Sequence, residues 1–163
     1  MAPEVFAAQL VTPEAALFEG EATAVISRTS TGDLTILDGH TPLVGDVVPG
    51  IVRIERPDDS TDAYCVHGGF LQVATEPGAA HGLVEGVSET TRSTRVTLLA
   101  GIAEPVGSID AARATAARDR ASTQLSALAS RDDDEGVLER AQAERALARA
   151  ELRLSAVGTG GAP

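Results

Sequence analysis

Gly32-Asp33-Leu34-Thr35-Ile36-Leu37-Asp38-Gly39-His40-Thr41-Pro42-Leu43-Val44 couples a short alternating strand pattern to a loop too ordered in its chemistry to be a random linker. Outward from it, Val5 to Ala100 keeps a hydrophobic period near two, interrupted every several residues by Gly, Pro or Asp. That pattern predicts short strands, the clearest being Val5 to Val11, Ala22 to Arg28, Gly32 to Leu37, Gly50 to Ile54, Ala63 to Val66, Gly69 to Ala74 and Arg95 to Leu99. Their close spacing implies an antiparallel sandwich or barrel. Phe6, Ala8 and Leu10, and likewise Ala22, Ala24 and Ile26, would each line one face of a sheet, and burying those faces together drives folding.

After Pro105 the composition turns to Ala, Arg, Leu and Glu, with no Pro or Gly between Gly107 and Gly136. Ser108 reads as an N-cap and Asp110 as a first-turn acid, where the helix dipole favours negative charge. Ala114, Ala117, Ala121, Leu125 and Leu128 recur at three- and four-residue steps. Arg131-Asp132-Asp133-Asp134 breaks this helix, and its acids favour the start of a second, whose Ala143, Leu147, Ala150 and Leu154 repeat the spacing. The expectation is a sandwich over residues 1–105, a two-helix antiparallel hairpin over 106–155, and a disordered Gly-rich tail over 156–163. Alanine stripes allow close helix approach but bury little apolar area at ~25 cal/mol per Å². A hairpin so weakly held can exchange between packings a few kcal/mol apart, which a switch requires.

The 163 residues suit roughly one domain, or a small domain with an appendage. A net charge of -11 argues against nucleic acid as a partner, and an aromatic content of 2% argues against base stacking. Cys65 is the only cysteine, so no intrachain disulfide forms; it reads as a small buried hydrophobe in a reducing compartment. No apolar run approaches the ~20 residues of a membrane span, and no basic region followed by a hydrophobic one opens the chain. The expectation is a soluble, unexported chain that meets a membrane only through another protein.

Three segments in order, the opening stretch, Val66-His67-Gly68-Gly69-Phe70-Leu71-Gln72-Val73 and Ile109-Asp110-Ala111-Ala112-Arg113-Ala114, resemble the epsilon subunits of bacterial F-type ATP synthases. The resemblance covers about residues 4–155 apart from one internal insertion. It implies a non-catalytic central-stalk subunit, with a β-sandwich bound to the gamma subunit and c-ring and two helices that fold down or extend. It also implies a peripheral place on the cytoplasmic face of the cell membrane, within a proton-translocating complex.

Carried over by position, Asp33 falls near the polar loops of the c-ring and His40 faces gamma; a turn-bonding role for His40 and a solvated role for Asp33 stand beside these readings. In some family members the segment matching Ile109, Asp110, Arg113 and Ala114 helps bind one ATP in the folded-down hairpin. Arg120, Arg145 and Arg149 would add positive charge toward its phosphates, and Glu104 precedes the motif. An Asp110 and Arg113 pair on an exposed helix surface, worth ~0.2–0.5 kcal/mol, is the competing reading. Arg140, Arg145, Arg149 and Arg153 would reach acidic segments of the alpha and beta catalytic subunits in an extended, inhibitory hairpin; the alternative is a solvated arginine face.

Asp38, His40, Asp46, Cys65 and His67 lack the spacing of a metal or nucleophile site, so no metal and no independent catalysis are expected, and ATP is the one regulatory ligand considered. Thr75 to Thr94 departs from the tight hairpin of most relatives and reads as a surface excursion, since loop length costs only ~0.6 kcal/mol per doubling. The competing class is a free-standing β-sandwich binding module with a self-associating hairpin.

Overall fold

The computed structural model describes residues 4–77, 92–131 and 133–159. The chain divides into two compact units, Met1–Pro105 and Val106–Pro163. The first is a sandwich of two five-stranded sheets. Its strands are β1 Phe6–Val11, β2 Ala16–Ala22, β3 Ala24–Thr29, β4 Gly32–Ile36, β5 Leu43–Val47, β6 Gly50–Glu55, β7 Thr61–Val66, β8 Gly69–Pro77, β9 Arg92–Ala100 and β10 Ala103–Pro105. One sheet runs β2-β1-β9-β8-β5 and the other β10-β7-β6-β3-β4. Every described pairing is antiparallel except β1 with β9, which is parallel and sets Ala8 against Val96 and Leu10 against Leu98. Inward residues at alternate positions, among them Phe6, Leu10, Ile36, Ile54, Leu71, Val73, Val96 and Leu98, form one core.

Phe6, Ala8 and Leu10 are buried along β1 as the alternation requires. The strand expected from Ala22 to Arg28 starts two residues later, as β3, and β2 before it is not among the expected strands; the chain changes sheets between them at Thr23. Ala22 ends β2 in one sheet, Ala24 opens β3 in the other, and the Thr23 N–H donates to the Glu55 carbonyl at 2.8 Å. The step shifts the alternation by one residue, so Val25 enters the core and Ile26 is only half-buried. β5 carries Gly45 and Asp46, and β10 is three residues long and ends in Pro105 at a sheet edge, which is why neither shows a strand pattern in sequence. β8 and β9 extend the expected hairpin to Pro77 and Arg92; the remainder of the insertion, residues 78–91, lies outside the described residues.

In the second unit, a 3-10 turn, Val106–Ser108, leads to α1, Ala111–Ala127, and α2 spans Asp134–Thr159. Asp110, not Ser108, is the N-cap of α1: its carboxylate accepts the Arg113 N–H at 2.9 Å while Ser108 is used in the preceding turn. Ala114, Ala121 and Leu128 are buried, as are Ala143, Ala150 and Ala156. α2 thus continues past Ser155, where the pattern ended the hairpin, because Ala156 extends its buried stripe; residues 160–163 lie outside the described residues. Within the described residues, no helix is long and apolar enough to cross a membrane.

Candidate functional site

Two devices hold the opening stretch in shape. At the β3–β4 turn, the Ser30 N–H and Oγ donate to the Asp46 carboxylate at 3.2 and 2.9 Å, and the Thr29 hydroxyl donates to the Gly32 carbonyl at 2.9 Å. Asp33 follows this turn, opposite Arg28 in the ladder, and meets its Nε at 3.0 Å. Both side chains are exposed, so the pair adds little stability and leaves Asp33 on the surface. Between β4 and β5 the Gly39 N–H donates to Thr94 Oγ1 at 2.8 Å, while the Thr94 N–H donates to Asp38 Oδ1 at 3.2 Å. Thr94 is buried, so this reciprocal pair ties the loop to β9. Gly39 takes a φ of 76°, the left-handed region that glycine enters without a Cβ penalty.

His40 follows that glycine. Its N–H donates to the Leu37 carbonyl at 3.2 Å, and its ring Nδ1 lies 2.8 Å from the Thr41 carbonyl oxygen. The turn-bonding geometry is therefore present, and it fixes the ring at the half-buried end of the loop. Asp33 and His40 sit on two separately braced features, the hairpin and the crossover loop.

Sequence reasoning passed over a third feature beside them. Val44, Phe70 and Leu99 are 75%, 64% and 52% exposed, on the adjacent strands β5, β8 and β9. Phe70 lies directly across from Leu99 on one side and from Asp46 on the other. Phe6, Phe18 and Tyr64 are all buried, so Phe70 is the one aromatic side chain of the chain held out in water. Exposed apolar groups on neighbouring strands of a braced sheet are the usual mark of a contact surface. The signal was available: Leu71 and Val73 point into the core, so alternation turns Phe70 outward.

In the hairpin, the Ile109-to-Ala114 motif first builds a helix start. Asp110 caps it, the Ala114 N–H donates to the Asp110 carbonyl at 2.9 Å, and the Ala114 side chain is buried. Arg113, Arg120 and Arg145 are exposed, and Arg149 and Arg153 are half-buried. Arg140 is used within the hairpin, its Nη2 donating to the Leu128 carbonyl at 3.1 Å and the Arg131 carbonyl at 2.6 Å. Leu128 is the C-cap of α1, so the cation sits where the helix dipole is negative. Asp133 Oδ1 accepts the Gly136 N–H at 2.6 Å in the first turn of α2. That bond, and then the Arg131 guanidinium, hold the Asp133 carboxyl below the usual carboxylate range. Glu104 belongs to the sandwich unit, on β10, with its Oε1 3.8 Å from His67 Nε2.

Comparison with known proteins gives this arrangement a family. The beta-sandwich domain of the ATP synthase delta/epsilon chain matches residues 5–77, and the long alpha-helix domain of the same chain matches residues 108–158. The ATP synthase epsilon chain of Bordetella parapertussis is 38% identical over 112 residues, covering 69% of this chain and 67% of the relative. That of Streptomyces avermitilis is 35% identical over 113 residues, covering 69% and 77%. Among solved structures, a chain of the Euglena gracilis mitochondrial ATP synthase, seen with OSCP, F1 and c-ring, shares the fold at a TM-score of 0.66 and 23% identity, over 92% of this chain and 79% of that one. Sandwich, hairpin and matched segments thus agree, and the chain belongs to the ATP synthase delta/epsilon family as an epsilon chain, a subunit of the synthase that is not itself catalytic.

Proposed function

We propose that this chain is a rotor component of a bacterial, proton-translocating synthase, attached at the cytoplasmic face of the membrane through the complex. Its sandwich joins the gamma subunit to the c-ring, and its hairpin restrains ATP hydrolysis. The observation that carries the reading is the exposed Val44, Phe70 and Leu99 surface on a sheet whose neighbouring loop and turn are braced by Thr94 and Asp46. Apolar anchors of this kind supply binding energy at the centre of interfaces, and a prearranged surface loses little entropy on docking. Gamma is the partner assigned to this surface and to His40. Asp33, charged and exposed, suits the polar loops of the c-ring.

Co-purification with gamma tests the docking. Phe70→Ser removes an exposed ring from a strand whose core residues are untouched, so the sandwich folds and gamma affinity falls at least about tenfold. Unchanged retention of gamma would remove this face from the interface.

The hairpin reading rests on its alanine seam and on arginines that face solvent in this packing, Arg113, Arg120 and Arg145. In the folded-down form, ATP is the ligand proposed for Asp110, Arg113, Arg120, Arg145 and Arg149, with Ile109 and Ala114 shaping the helix start. In the extended form, Arg145, Arg149 and Arg153 meet the alpha and beta subunits, and Arg140 joins them only by giving up its bonds to Leu128 and Arg131.

A further inference from the structure

We infer that Cys65, His67 and Glu104 form a binding site for a borderline-soft divalent cation, zinc or cobalt in class. Cys65 lies in β7 and His67 is the residue just past its end, two positions on, with their donor atoms on the same side of the chain. β10 returns alongside and sets Glu104 directly opposite Cys65 in the ladder. Residues opposed in this way project to the same face. The result brings a thiol, an imidazole and a carboxylate together from two distant parts of the chain.

Their donor atoms all lie within 4.8 Å of one another. Cys65 Sγ stands 3.8 Å from His67 Nε2, which in turn stands 3.8 Å from Glu104 Oε1. Ligands held ~2.0–2.3 Å from a tetrahedral ion are about 3.3–3.8 Å apart, so closing on a cation asks for side-chain adjustment and no change of strand register. The donor set itself selects the ion. Thiolate and imidazole suit zinc and cobalt, while magnesium and calcium require oxygen.

The surroundings suit a held ion. Cys65 is buried, the His67 side chain is 5% exposed, and Glu104 at 28% forms the side open to water. The His67 N–H donates to the Ile102 carbonyl at 3.0 Å, which fixes its backbone against the chain entering β10. Three protein donors leave a fourth position for water. On binding, the Cys65 thiol gives its proton to solvent and Sγ donates an electron pair to the ion, without redox change. The ion would clip a three-residue edge strand to its neighbour, at the last strand before the helical unit.

Cobalt chloride titrated into the full, reduced chain tests this. The expected result is a thiolate-to-cobalt charge-transfer band and the visible bands of tetrahedral cobalt, saturating at one equivalent and displaced by zinc. Cys65→Ser loses the charge-transfer band, and Glu104→Gln, on the edge strand, weakens affinity at least about tenfold. Should Cys65→Ser fail to fold, the full chain with Glu104→Gln still decides, because zinc then raises the melting temperature by less than it does for the parent. A spectrum without the charge-transfer band, or an affinity and melting shift unaltered by Glu104→Gln, overturns the site.

Discussion

Gly69 shows how tightly one position can constrain a sheet. A Cβ built on it would collide with the Leu99 carbonyl oxygen of β9, since β8 starts where the two strands approach closely. The obstacle is backbone hydrogen-bonded into the ladder, so it cannot rotate away as a side chain would. Gly69→Ala is expected to cost about 3 kcal/mol or more, in the range of backbone clashes within a core, with a matching fall in the denaturation midpoint. A midpoint within experimental error of the parent would mean that β8 shifts freely, and the rigid docking surface would go with it. At this scale the sequence was partly legible. Phe6 and Leu10 are where alternation puts them, Asp33 is exposed, and His40 lies in the loop between β4 and β5. Asp46 and Thr94 were not legible as braces, because each acts on a segment far from it in the chain.

Among the elements, the helices were the more legible, because their information is local. The Ala114, Ala121 and Leu128 stripe follows from spacing alone, whereas α1 ends at Ala127, ahead of the acidic run expected to break it, and that run leads into α2. The sheets were less so: the change of sheet at Thr23 and the parallel union of β1 with β9 depend on where distant strands pass. The start of α2 carries a pH dependence of its own. The Asp133 carboxyl is depressed by the Gly136 N–H it accepts and by Arg131, so its folded value lies below its unfolded value. A depressed acid lends stability above the unfolded carboxylate range, and that stability is lost as pH falls through the folded value. Helicity followed by circular dichroism should therefore fall on acidification below that range. Asp133→Asn, which keeps a neutral oxygen for Gly136, should flatten the loss; an identical acid limb in this variant would assign it to other carboxylates.

For the whole molecule, the unequal cores of the two units are the governing fact. The sandwich encloses Phe6, Leu10, Phe18, Ile36, Ile54, Leu71 and Leu98, whereas among the described residues of the helical unit the buried side chains are five alanines and Leu128. Apolar burial at ~25 cal/mol per Å² therefore favours the sandwich heavily. A chain ending at Gly107 should keep the sandwich transition while losing the helical signal, so that function can be divided at the same point. ATP hydrolysis by the purified catalytic head, carrying the full or shortened chain and assayed across ATP concentrations, then tests the hairpin. Release of activity on truncation is expected if the hairpin restrains rotation, with the full chain relieved at high ATP if its arginines hold nucleotide. Asp110 needs care in that assay, because Asp110→Ala also removes the α1 cap at a cost of about 1 kcal/mol. Asp110→Asn keeps a capping oxygen and discards the charge, so it separates nucleotide sensing from helix stability. Equal hydrolysis with and without the hairpin would leave the sandwich as the working part and the helices as structure.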